Sequence, residues 1–115
     1  MQAPQTGNKY IVGWLTLKEG AEAAFDNLVA PYIATCREEA ECRFFEMIRT
    51  RERPNTVLIC ESFLSERAHA VHLDKPHVKK FFEELHKIAL VGQFENVIAQ
   101  EIARDACDFA GGKPV

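Results

Sequence analysis

Between Thr56 and Val78 the chain reads TVLICESFLSERAHAVHLDKPHV. This stretch holds a carboxylate inside an apolar run, Glu61, and three of the four histidines, His69, His72 and His77. A carboxylate among Val57, Ile59 and Phe63 is expected to lose hydration, which raises its pKa toward that of a working general base. A second reading of Glu61 is structural, as a buried carboxylate accepting hydrogen bonds from backbone or from a histidine. His72 falls on a short helix and His77 opens the next. An imidazole near a helix N-terminus has its proton affinity lowered, which makes it a neutral donor and acceptor at neutral pH. His77 equally suits a helix-start residue that bonds local backbone. His69 and His86 are expected to face solvent. His69 and His72 have the i, i+3 spacing of a metal pair, but no third ligand stands at a suitable spacing, so no metal is expected.

The elements around this stretch can be read from periodicity. Tyr10 to Leu17 (YIVGWLTL) is rich in β-branched and aromatic residues and reads as a strand, apolar on both faces, with Gly13 marking a bulge or a close approach to the backbone. Phe25, Leu28, Val29, Tyr32, Ile33 and Cys36 form the stripe of an amphipathic helix from about Ala21 to about Glu39, bent near Pro31. Arg43 to Arg49 and Thr56 to Phe63 pair as an antiparallel hairpin across a charged turn. Ser65 caps a helix from Glu66 to Leu73, which ends before Pro76. Pro76 starts another helix, striped by Val78, Phe81, Phe82, Leu85 and Ile88 and closed by Gly92. Glu95 to Ala103 is read as a last strand because the topology needs one.

The order β-α-β-β-α-α-β defines an α+β, ferredoxin-like split βαβ fold with a four-stranded antiparallel sheet. Residues 9–106 form the single domain, between a flexible N-terminus (1–8) and a loose tail (107–115). Helices cover one face of such a sheet, yet the strands look apolar on both. A second copy of the chain, packed sheet on sheet as a homodimer, is therefore expected.

Composition narrows the function classes. The 115-residue chain carries a net charge of −3 and no basic cluster denser than Lys79-Lys80, so nucleic acid and anionic membrane are not expected partners. The longest apolar runs are too short to span a bilayer, and MQAPQTGNK lacks the pattern of a secretory signal. Cys36, Cys42, Cys60 and Cys107 include no CxxC pair and read as reduced, mostly buried thiols, which points to a cytoplasmic protein.

Glu41-Cys42-Arg43-Phe44-Phe45-Glu46-Met47, then Pro54-Asn55, Glu61-Ser62-Phe63, Ala68, His72-Leu73, Lys75-Pro76-His77 and Phe81 together resemble the antibiotic biosynthesis monooxygenase (ABM) family, from about Tyr10 to about Ala103. Ala40-Glu41 stands where the family usually has Pro-Gly, and Phe63 where a Trp is common. The resemblance implies a dimeric α+β barrel that oxygenates a small electron-rich aromatic, a quinol or anthrone, with O2 and without a cofactor. Haem-degrading relatives use an Asn, a Trp and a His where this chain has Gly13, His72 and Phe82, so haem degradation is not expected.

Such chemistry needs an apolar pocket, a base and donors for the developing anion. Glu61, His72 and His77 are the candidate catalytic groups. Tyr10, Trp14, Tyr32, Phe45, Phe63 and Phe81 are the candidate pocket walls, although strand faces and helical stripes need core aromatics in any case. No GxGxxG, P-loop or HExxH motif is present, and no cofactor is expected. Two other functions fit the same scaffold: an isomerase of a small signalling metabolite, with polar contacts near His77 and Lys79, and a non-catalytic small-molecule-binding module.

Overall fold

The computed structural model describes residues 7–110 and 113–114. The main elements are β1 (Asn8–Leu17), α1 (Glu22–Arg37), β2 (Cys42–Arg49), β3 (Thr56–Phe63), α2 (Glu66–Leu73), α3 (Pro76–Ile88) and β4 (Ala89–Ala99). A two-residue ladder, β5 (Cys107–Asp108) with β6 (Lys113–Pro114), follows. The four long strands form one antiparallel sheet in the order β2-β3-β1-β4, the ferredoxin-like arrangement. Of the segment expected to be a flexible N-terminus, residues 1–6 lie outside the described residues, and Asn8 already belongs to β1. In the tail expected to be loose, residues 111, 112 and 115 lie outside them as well.

Alternation decides which face of the sheet is buried. Ile11, Leu15 and Leu17 of β1, Phe45 and Met47 of β2, and Val57, Ile59 and Phe63 of β3 point toward the helices and are buried. They meet Phe25, Val29, Tyr32 and Cys36 of α1 and Val78, Phe81 and Leu85 of α3. The opposite face carries Val12, Trp14, Ile48 and Leu58, each 41–58% exposed, so among the described residues the helices cover one side of the sheet only. α1 runs through Pro31, whose missing N–H leaves the Asn27 carbonyl without its helical donor. The Thr35 hydroxyl donates to the Pro31 carbonyl at 2.9 Å.

The boundaries of α3 and β4 differ from the expectation. Gly92 does not cap α3: the helix stops at Ile88 and the chain turns at once into β4, which contains Gly92 and ends at Ala99, short of Ala103. The free edge of β1 explains this, because its backbone donors and acceptors pair with β4 along nearly the whole strand, from Asn8↔Ala99 to Leu17↔Ala89. The apolar stripe of α3 runs on into Ala89-Leu90-Val91, so periodicity alone extends the helix too far. The cysteines also differ: Cys36 is buried, Cys42 half-buried, and Cys60 and Cys107 exposed, all as free thiols. No helix among the described residues is long and apolar enough to cross a membrane.

Gly13 is a point of close approach. A Cβ there would lie 2.1 Å from the Gln93 carbonyl oxygen and 3.1 Å from the Phe94 Cα, both backbone atoms of β4. Gly13→Ala is therefore expected to push β4 away from β1 and cost about 2 kcal/mol or more. Urea unfolding and amide exchange should show the loss concentrated in the β1–β4 ladder.

Candidate active site

The sheet sets Glu61 in a cross-strand row, Phe45–Glu61–Ile11–Asn96, running over β2, β3, β1 and β4. Period-two alternation puts all four side chains on the helix side. The neighbouring row is Met47–Ile59–Gly13–Phe94, in which Gly13 lets the β4 backbone approach closely. Over these rows lies a cavity of about 240 Å³, lined by Ile11, Tyr32, Glu61, His69, His72, Leu73, Phe82, Phe94 and Asn96. It lies just under the roughly 300–1,000 Å³ of sites for drug-sized ligands, a size for a one- or two-ring molecule. A larger hollow of about 450 Å³, holding Trp14, Arg51 and Arg53, lies on the outer sheet face around the β2–β3 turn, away from Glu61 and the histidines.

Glu61 is 5% exposed. Burial, and then the negative charge of Glu39, push its carboxyl up to about 8, and no hydrogen bond or cation works in the other direction. At neutral pH it is mainly the protonated acid, a donor rather than a base. Its neighbours in the row flank it, and it lines the cavity.

The second half of the site is a hub that the sequence reading missed. α1 ends at Arg37, and the tight turn from Cys36 to Cys42, closed by Glu39 N–H to Cys36 O at 3.1 Å and Cys42 N–H to Glu39 O at 3.0 Å, places Glu39 beneath the helical layer. Ser65 accepts the Ala68 N–H at 3.0 Å and starts α2, which stops before the Lys75-Pro76 corner. His72 in the last turn of α2 and His77 in the first turn of α3 therefore converge across the corner on one oxygen, Glu39 Oε2. His72 Nδ1 is 2.8 Å from it and His77 Nε2 2.9 Å, and Lys75 Nζ is 3.6 Å from Oε1. Burial opposes the Glu39 anion, but bonding and charge from His72, the His77 bond and Lys75 outweigh it and hold the carboxyl below its usual range. An ionised carboxylate only accepts, so both imidazole nitrogens facing it carry hydrogen. Burial keeps His72 neutral against the pull of Glu39. Its Nε2 is then an acceptor, the nitrogen left for the cavity that the ring lines.

His69 corrects an expectation. It is buried, not solvent-facing, because α2 turns Ala68, His69 and His72 together onto the sheet. Its ring packs 5.3 Å from Phe63, and burial, followed by the charges of Lys9 and His72, pushes its pKa down to about 4. His86 is exposed. Among the candidate wall residues, Tyr32 reaches the cavity, stacked 3.7 Å from Phe81. Phe45, Phe63 and Phe81 are fully buried core behind it, and Tyr10 and Trp14 belong to the other face of the sheet. Tyr10 there accepts a hydrogen bond from Arg43 at 2.9 Å. The signal for Glu39 was available: it lies three residues after Cys36, so a carboxylate continues an apolar stripe.

The Antibiotic biosynthesis monooxygenase (ABM) family profile matches residues 10–84, and the chain belongs to that family. Among solved structures it is similar to a Shewanella oneidensis protein, with 24% identity, TM-score 0.74, and 82% of this chain and 95% of that one covered. It is also similar to a candidate antibiotic biosynthesis monooxygenase from Deinococcus radiodurans, with 20% identity, TM-score 0.76, and coverage of 84% and 96%. One from Caulobacter crescentus gives 18% identity, TM-score 0.76, and coverage of 84% and 93%. At these identities the likeness establishes the fold. No curated protein matches the chain.

The unpaired Glu61 has a consequence for stability. Its folded pKa of about 8 exceeds the ordinary value of 4.5, so the folded state binds the proton more tightly and stability falls as pH rises through the interval. Above about pH 7.5 an unperturbed histidine in the unfolded chain is largely deprotonated, so proton binding by unfolded His69 and His72 no longer offsets that by folded Glu61. Between about pH 7.5 and 8 the wild type should lose stability at about 0.7 kcal/mol per pH unit. Glu61→Gln should flatten that slope in urea unfolding at the two pH values.

Proposed function

We propose that the chain is a monooxygenase that inserts oxygen into a small electron-rich aromatic, of the quinol or anthrone type, and that it works as a homodimer. The observation that carries this reading is one apolar cavity with two oppositely tuned groups on its wall: protonated Glu61 and neutral His72 backed by ionised Glu39. Environments that push titratable groups apart assign the roles of acid and base. His72 Nε2 takes the acidic proton of the substrate, and Glu39 stabilises the imidazolium that results. Glu61 donates to the substrate oxygen on which negative charge develops. Ile11, Leu73, Phe82 and Phe94 hold the ring and exclude water. The anion is then electron-rich enough to reduce O2 directly; one oxygen atom enters the ring carbon and the other leaves as water with two hydrogens that the substrate gives up, so the substrate supplies all four electrons and the product is at the quinone level. His77 supports the base through Glu39 and does not line the cavity. The family, and neighbours described as candidate monooxygenases, favour oxygenation over isomerisation or plain binding.

The dimer part of the reading rests on the outer sheet face, where Val12, Trp14, Ile48 and Leu58 form an apolar surface that a second sheet could cover. Trp14→Glu with Leu58→Lys should yield a folded monomer in light scattering; an unchanged mass would place the interface elsewhere.

Oxygen uptake across a panel of quinols and anthrones tests the chemistry. His72→Ala should lower kcat/KM by roughly a hundredfold or more, and Glu61→Ala by about as much. Glu61→Gln keeps an N–H donor and should stay within about tenfold of wild type. Wild-type activity should fall as pH rises through about 8, where Glu61 loses its proton, and Glu61→Gln should lack that limb. Oxygen-independent turnover, or no uptake with any substrate, would refute the reading.

A further inference from the structure

Behind the cavity wall, where α1 meets the α2–α3 corner, Cys36 joins the Glu39 hub. One ligand atom each from Cys36, Glu39, His72 and His77 lies within 4.8 Å of every other. We propose that these four residues form a binding site for a divalent ion of the zinc class. The donor set is the first reason. One sulfur, one carboxylate oxygen and two imidazole nitrogens suit a borderline-soft ion, whereas calcium and magnesium call for oxygen ligands.

Charge is the second reason. A thiolate and a carboxylate with two neutral imidazoles balance a divalent cation, so a loaded site leaves no net charge in a largely buried joint. Geometry is the third. Tetrahedral coordination at roughly 2.0–2.3 Å puts ligand atoms about 3.3–3.8 Å apart. The His72–Glu39 and His77–Glu39 separations of 2.8 and 2.9 Å would open slightly, and the widest separation, up to 4.8 Å, would close by about 1 Å. Rotations of the side chains supply both changes.

The backbone already fixes the two ligand pairs: Cys36 and Glu39 through the turn ending α1, and His72 and His77 through the Lys75-Pro76 corner. Lys75, with its side chain 38% exposed, can turn outward when the ion arrives. On loading, Cys36 gives up its thiol proton to solvent, and each imidazole stays neutral by moving its hydrogen to the other nitrogen. Four protein ligands close the site, so it acts as a clamp and not as a hydrolytic centre. One consequence rests on the function proposed above: an ion on Nδ1 turns His72 Nε2 from acceptor to donor, and loading suppresses turnover.

Cobalt(II) titration of the reduced full-length protein, followed by zinc competition, tests the site without relying on activity. One equivalent should bind, with a thiolate-to-cobalt absorption band that zinc abolishes. Cys36→Ser should remove the band. His77→Ala, at a partly exposed helix start, should keep the fold by circular dichroism and weaken binding by more than about tenfold. Cys60→Ser and Cys107→Ser should change nothing. Absence of the band, its survival in Cys36→Ser, or unaltered affinity in folded His77→Ala would overturn the site. A Cys36-dependent band with quinol turnover unaffected by the ion would uphold the site and overturn the role of His72 as base.

Discussion

A carboxylate enclosed by protein must find partners for its charge, and Glu39 finds them across three helical segments at once. The end of α1 supplies the carboxylate, the last turn of α2 supplies His72, and the first turn of α3 supplies His77, with Lys75 between them. Removing either imidazole would leave a low-dielectric anion short of a donor, which is costly compared with the modest net value of an ordinary hydrogen bond. The corner at Lys75-Pro76 is therefore not a free hinge. It is set by proline on the local side and by Glu39 on the tertiary side, and the orientation of the His72 ring follows from both.

Glu61 is the counterpart that did not find a partner. Its row neighbours Phe45 and Ile11 offer no hydrogen bond, and the nearest strong charge, Glu39, has the same sign. Two carboxyls in one small region cannot both ionise cheaply, so the better-solvated and better-bonded one takes the charge and the other keeps its proton. This division needs no metal or nucleotide to maintain it. It follows from which carboxylate the α1–β2 turn carries to the histidines and which one β3 leaves among apolar neighbours.

Much of this was legible in order of residues. The alternation of Val57, Ile59, Glu61 and Phe63 predicted β3 and its buried face, and Ser65 with Pro76 predicted both ends of α2, because capping and proline geometry act locally. Glu39 was not legible as a partner of His72 and His77, since the contacts span 33 and 38 residues and depend on how α1 leaves the sheet. His69 was misplaced for a similar reason: on an eight-residue helix with a polar composition, nothing in the pattern says which side meets the sheet. β4 was misplaced because the free edge of β1 outweighed a helical stripe that continued past Ile88.

The unpaired state of Glu61 is itself an argument about function. A glutamine or methionine of similar size could occupy its place in the row without the penalty of a carboxyl held far from its ordinary pKa, so the fold alone does not call for an acid there. What an acid adds is a strong neutral donor facing an apolar cavity, able to follow the charge of a bound molecule as it develops. His72 adds the complementary acceptor a short distance along the same wall, held by a carboxylate outside the cavity. An arrangement that is unfavourable for stability, with a donor at one end and an acceptor at the other, is what the proposed oxygenation would use. Packing requires neither.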